Sequence, residues 1–446
     1  MSRTLPLRPV SRPLIRRLVL LVSIAAVALV VPACGDDTTT NTASMSFRTL
    51  HVPKDYTTIQ AAVDASKKGD LILIAPGTYH PTVADTPIAT VETEDITIRG
   101  EDRNTVILDG QYKVENSIIV FSDGVAVENL TVRNNTQNGV FFTGDYGKGV
   151  TLHGYRASYV TAENNGRYGI YAFSAEDGQI DHSYGSGHPD SAYYVGQCEH
   201  CNALLTDDIA ETNLLGYSGT NSTGVTIINS TFRKNRAGIV PNSEYSEQFY
   251  PNNGTTIIGN VVQDNNNPLA PESDTYAIAF GTGIVLGGVS NSLAERNLVT
   301  GSVNAGIVIA DLPETVDPAD KKQKSFKPEH NTVRNNTLSG NKVDLAYLTI
   351  HFASMGFGNC FEKNKFTTSF PADLETKLTC GGPEVDLGDL SGILTQLTPA
   401  PPAVDYQKIA FGPDQPNMAN PKTATPVAAR GPAKVDLAAI TTPTAG

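Results

Sequence analysis

Gly169-Ile170-Tyr171-Ala172, Ala192-Tyr193-Tyr194-Val195, Leu215-Gly216-Tyr217-Ser218 and Gly238-Ile239-Val240-Pro241 follow one another at a constant interval of 23 residues, with no gap. The interval returns between Gly283-Ile284-Val285-Leu286 and Gly306-Ile307-Val308-Ile309, and a looser copy stands at Gly139-Val140-Phe141-Phe142. A fixed period of this length marks stacked units, each of which buries its apolar face only against its neighbours. The expected architecture is an all-β solenoid, a single-stranded parallel β-helix. Side chains alternate along a strand, so the Ile of each Gly-Ile-x-Val faces the core and the next residue faces out. Tyr171, Tyr194 and Tyr217 are then expected to stack outward with Phe141 below them, either as a platform for sugar rings or as a structural stack covered by a loop.

The composition agrees with β structure: 39 Gly, no Trp, and much Asn, Thr, Val and Ile in 446 residues. Arg3, Arg8, Arg12, Arg16 and Arg17 precede an apolar run from Leu18 to Val31, the pattern of a secretory signal peptide over 1–33 that is too short to span a bilayer comfortably. That segment carries five Arg and no acid, so removing it takes the formal charge from -13 to -18. Such a surface repels polyanions and excludes nucleic acid as the expected partner. Val31-Pro32-Ala33-Cys34 resembles a bacterial lipobox, which implies that Cys34 becomes the acylated first residue of an exported lipoprotein, at the periplasm or cell surface, touching the membrane only through its lipid. Simple secretion is the alternative. Residues 34–48 read as a polar, flexible tether.

The folded region opens with a cap and first coil over 49–82. Thr57 or Thr58 N-caps a short helix that places Ile59, Ala62 and Val63 on one face; Leu71-Ile72-Leu73-Ile74 follows as a strand and Pro76-Gly77-Thr78-Tyr79 as a turn. The run from Tyr56-Thr57-Thr58-Ile59-Gln60-Ala61-Ala62-Val63-Asp64 to Gly77-Thr78-Tyr79 resembles the opening of pectin-lyase-like right-handed parallel β-helix proteins. The resemblance implies that this helix plugs the first coil. Over 83–375 short strands such as Ile96-Thr97-Ile98 and Val125-Ala126-Val127 alternate with Asn, which tolerates the left-handed conformation of a tight corner and can bond from coil to coil. Roughly ten to twelve coils about 4.8 Å apart are expected, with insertions at 144–149, 244–254, 267–275 and 312–327. Ser191 to Cys201, Leu215 to Asn221, Asn235 to Ser243 and Gly281 to Leu286 resemble an uncharacterised group of secreted bacterial β-helix-repeat lipoproteins. That resemblance implies fold and location, and no activity. Residues 376–446 read as a C-terminal cap, with a short helix within Leu387 to Leu397, followed by a disordered Pro/Ala/Thr-rich tail.

Apart from Cys34, the cysteines fall into Cys198 with Cys201 and Cys360 with Cys380, read as two disulfides of an exported chain. Cys198-Glu199-His200-Cys201 could instead hold a metal with His182, His188 or His200, although two cysteines alone are not a zinc site. No metal or cofactor is identified, and calcium stays open without a motif that supports it. Proton abstraction beside a uronate carboxylate needs a base and a cation. His182, His188, Asp190, Arg233 and Arg236, with Asp207-Asp208, could supply them, or could be solvated and corner-bonding residues. Two functions stay open: an exported β-helix that binds and processes polysaccharide as a lyase, epimerase or glycoside hydrolase, and a non-catalytic structural or interaction protein of the envelope. The oligomeric state stays open too.

Overall fold

The computed structural model describes residues 47–272, 279–316, 323–350 and 355–444. The expected signal peptide, the acylated Cys34 and the tether as far as residue 46 lie outside the described residues. Thr58, in extended backbone, accepts the Ala61 N–H at 3.1 Å and so caps the helix Ile59–Ala65. The helix buries Ile59, Ala62 and Val63 in the same core cluster as Leu50 and Ile72. It seals an open solenoid end that would otherwise expose apolar surface and an unpaired strand edge.

Past the helix each coil lays down three short strands, and equivalent strands of successive coils pair in parallel. Sheet A has twelve strands, from Thr49–Val52 to Cys360–Glu362; sheet B has ten, from Gly77–Tyr79 to Thr337–Ser339; sheet C has eleven, from Ala89–Val91 to Ser369–Phe370. One coil reads Ala175–Asp181 in sheet A, Tyr184–Ser186 in sheet B and Ser191–Gly196 in sheet C. Inward side chains form columns along the axis. On sheet C the column runs Val140, Ile170, Tyr193, Tyr217, Ile239, Ile284, Ile307 and Leu345, all fully buried.

Corners between sheets A and B use a two-residue device. The first residue turns the chain through a left-handed conformation, as Asn229 and Asn335 do at φ 50° and 56°. The second points inward and bonds the next coil. Asn260 Nδ2 donates to Asn297 Oδ1, Asn297 to Asn336 and Asn336 to Asn364, each at 3.0 Å. The corner between sheets B and C repeats it, with Asn213 donating to Asn235 at 2.9 Å and Asn235 to Asn265 at 3.0 Å. A buried amide left unpaired would cost about 1–3 kcal/mol, so the stacking solves the problem that every closed turn creates.

The tail corrects the sequence-based expectation of disorder. Leu374, Leu378 and Leu390 close the last coil, and a short 3-10 helix at Ser391–Gln396 stands where a capping helix was expected. The chain then runs back along the solenoid. Thr398 N donates to Asn304 at 2.7 Å, Gly412 N to Glu163 at 2.7 Å, and Gln415 and Asn104 bond reciprocally at 2.9 Å. It reaches the early coils, where Arg99, 1% exposed, donates to the carbonyls of Pro421 and Ala424. From there it returns along sheet A to bury Ile440 against Leu204, Ile228 and Ile258. Proline-rich chain forgoes few internal hydrogen bonds and loses little freedom when laid out straight, so polar groups on the solenoid wall suffice to order it. Two disulfides, Cys198–Cys201 and Cys360–Cys380, suit an oxidising compartment.

Asn297→Ala would strand the Asn260 amide, the Ile257 carbonyl and Asn336. Denaturant unfolding should show it destabilised by about 3 kcal/mol, against under about 0.5 kcal/mol for the exposed Gln263→Ala.

Candidate functional site

Most of the acids, bases and cations singled out in the sequence do not converge. His188 is fully buried and takes an asparagine's place in the ladder between sheets B and C: its backbone N–H donates to Asn213 Oδ1 at 3.0 Å, and its Nε2 meets the Ala162 carbonyl at 3.2 Å. Burial pushes its imidazole down to about 4, so it stays neutral near pH 7. Arg236 is buried too, paired with Glu272 and bonded to the Pro401 carbonyl. Arg233 lies on sheet B, 2.7 Å from Glu211. His182 sits at the corner between sheets A and B, stacked on Tyr159 at 4.5 Å and raised from its ordinary value by Asp181. Asp208 occupies a ladder position, where burial raises its carboxyl far above the usual range. Cys198 and Cys201 are bonded to each other, so they are not metal ligands. Among the described residues no group of three or more His, Cys, Asp or Glu converges as a metal site.

The tyrosine ladder is corrected in one member and in its exposure. Phe141 pairs with Tyr171 and Tyr171 with Tyr194, but Tyr194 pairs with Ser218 while Tyr193 pairs with Tyr217. One residue more between the two strands turns Tyr217 into the core, since a slip of one flips a strand's faces. Tyr171 and Tyr194 do face outward, yet they are 8% and 1% exposed. The insertion at 244–254 covers them, and Asn221 pins it by donating to the Glu244 and Glu247 carbonyls.

Beneath that insertion lies the densest chemistry on sheet C. Phe141 stacks on Tyr171 at 4.6 Å, Tyr168 on Tyr171 at 4.4 Å, and Tyr194 closes on both at 4.8 and 5.0 Å. Exposed Arg167 lies 5.1 Å over the Tyr168 ring, a cation–π contact. The Tyr194 hydroxyl donates to the Glu247 carboxyl at 2.7 Å. Burial pushes Glu247 up to about 8 against that hydrogen bond, and pushes buried Asp190 up to about 6 against the pull of Arg167. Burial likewise raises Tyr171 and Tyr194 well above their ordinary values, so both remain phenols. Asp190 is the one predicted acid or base to reach this cluster, where it joins the predicted ligand-binding Tyr171 and Tyr194. Arg167, Tyr168 and Glu247 were not singled out in the sequence. The first two immediately precede the repeat at Gly169, and Glu247 belongs to an insertion whose length was visible but whose landing place was not.

No protein-family model and no curated protein matches the sequence. Among solved structures, the A-module of the mannuronan C-5 epimerase AlgE4 from Azotobacter vinelandii superposes with a TM-score of 0.50 at 11% identity, covering 70% of this chain and 91% of that one. The AlgE6 A-module from the same organism gives 0.48 at 12% identity over 70% and 92%. The likeness is one of fold. The chain is a right-handed parallel β-helix.

In this β-helix an exposed cation, protonated phenols and a carboxyl that titrates near neutrality share one face, the ingredients for moving a proton beside a negatively charged group. The same carboxyls tie stability to pH. Glu247 and Asp190 hold protons more tightly folded than unfolded, so between their ordinary values and their raised ones unfolding releases protons. The stability these two groups contribute is therefore fully present below the ordinary carboxylate range and is lost as pH rises through the raised values. Above about pH 6 only Glu247 of the two still contributes. The melting temperature should fall between about pH 6 and pH 8, and Glu247→Gln should flatten that segment of the profile.

Proposed function

We propose that this β-helix is an exported, lipid-anchored protein that binds an acidic polysaccharide across the outer face of sheet C and acts on it by abstracting a proton. The observation that carries the proposal is the juxtaposition of exposed Arg167 with the Tyr194–Glu247 pair over an aromatic floor. Arg167 pairs with a uronate carboxylate and lowers the cost of the charge that builds up when the adjacent carbon loses its proton. Glu247, as carboxylate, takes that proton while Tyr194 holds it in place. The carbanion then either expels the glycosidic oxygen on the next carbon, which leaves as a hydroxyl after taking a proton from solvent and so yields an unsaturated sugar, or takes a proton from solvent on the other face. Phe141 and Tyr146 offer ring surface at the rim. No helix of the described residues is long and apolar enough to cross a membrane, and attachment is assigned to the acylated Cys34.

A second reading draws on the burial of Tyr171 and Tyr194. With the ladder covered, the cluster is the packing core of the 244–254 insertion, and the chain is a non-catalytic structural or interaction protein of the envelope.

Polyuronates incubated with the protein should yield unsaturated products detected by ultraviolet absorbance, or altered epimer ratios detected by NMR. The rate should rise with pH toward about 8, where Glu247 ionises. Glu247→Gln should abolish turnover with binding kept, and Arg167→Ala should weaken binding about tenfold. Polyuronates left unchanged and unbound across the panel would leave the second reading. For the anchor, Cys34→Ala should move the protein from the membrane fraction to the soluble fraction.

A further inference from the structure

A second feature lies at the corner where sheet C passes into sheet A. An open groove of about 530 Å³ runs there, on the far side of the insertion from Tyr194. Its floor is a column of consecutive coils: Thr223 bridges in parallel to Asn253, Asn253 to Ser290, and Ser290 to Glu329. Successive members stand about 4.8 Å apart, so the column tracks the solenoid axis for about 15 Å. Asn291 stands beside it and donates to Asn253 Oδ1 at 2.8 Å, which fixes both carboxamides at the surface. One wall is aromatic. Phe249 and Tyr250 are 41% and 48% exposed, large fractions for such rings.

Tyr250 is exposed without being loose. Tyr245 meets its ring edge-on at 4.6 Å and Phe326 approaches at 5.8 Å, so the ring is held from behind. An aromatic face fixed before its ligand arrives loses little entropy on binding. Carboxamides and hydroxyls at a regular spacing under such a face are suited to a chain of hydroxyl-bearing rings, which offers C–H faces to the aromatics and O–H groups to the amides. Charge narrows the class. None of the described residues lining the groove is Arg or Lys; its ionisable lining is Glu199, His200, Glu329 and His330. A polyuronate would meet two carboxylates and no permanent cation to pair with.

We propose that this groove binds an uncharged oligosaccharide chain lying along the solenoid axis, at a site separate from the Arg167 cluster. The β-helix then has two glycan surfaces of opposite preference on either side of one insertion.

The test uses affinity electrophoresis of the full chain through gels containing glucomannan, hydroxyethylcellulose, amylose or dextran, with polygalacturonate as the charged comparison. At least one neutral polymer should retard the protein. Tyr250→Ala should weaken that retardation about tenfold, Tyr250→Phe should preserve it, and Asn291→Ala should weaken it severalfold, with unfolding followed in parallel because Asn291 holds a left-handed corner at φ 52°. Arg167→Ala should leave it unchanged. Absence of retardation by all four neutral polymers, or retardation indifferent to both Tyr250→Ala and Asn291→Ala, would overturn the proposal. Retardation lost with Arg167→Ala would also overturn it, because a single site would then account for both. Loss of polyuronate turnover alone bears only on the Arg167 cluster.

Discussion

Everything in this molecule depends on satisfying polar groups inside turns that are stacked directly on one another. A coil of about two dozen residues must change direction three times, and each change strands amide and carbonyl groups close to an apolar core. The chain answers with a residue in the left-handed conformation followed by one whose side chain serves the coil above and the coil below. Asn is best at both positions, since it tolerates the first and can donate and accept at once in the second. Asn260, Asn297 and Asn336 form such a column at one corner, and Asn213, Asn235 and Asn265 at another. The hydrophobic columns supply the bulk of the stabilisation, but these amides fix the phase of each coil against the next.

The architecture was legible because the repeat is written twice, once in the Gly-Ile-x-Val segments and once in the Asn pairs between them. The stacking of Phe141, Tyr171 and Tyr194 followed directly from the interval. What failed was the extension to Tyr217, and it failed for a definable reason: the interval counts residues from motif to motif, while the ladder counts coil to coil. Tyr193 pairs with Tyr217 across a separation of 24 residues, whereas Ile170 and Tyr193 are 23 apart. A single residue absorbed in a corner leaves the motif recognisable and reverses which face it presents.

Chemistry was less legible than shape. The ladder can accept a different polar residue without changing its geometry, which explains why His188 and Asp208 looked like catalytic candidates and prove to be rungs. The residues that do gather, Arg167, Tyr168, Asp190, Tyr194 and Glu247, come from two coils and an insertion. Nothing local in the sequence says that residues 244–254 fold over rings such as Tyr194, laid down 53 positions before Glu247. The tail misled in a similar way: its composition describes a segment that cannot make its own core, yet Arg99 and Arg103 await it on the wall of the solenoid.

That wall has a consequence for assembly. Arg103 bonds to Asn417 and Pro416, partners more than 300 positions away, while the ladders of the solenoid itself join adjacent coils. A solenoid can wind up progressively from its first coil as the polypeptide emerges, because each turn needs only its predecessor. Here the guanidinium groups of Arg99 and Arg103 keep incomplete hydrogen bonding until residues 416–424 have been made and laid back along them. The segment around residues 416–424 therefore reports to the first coils folded that the solenoid between them has been made.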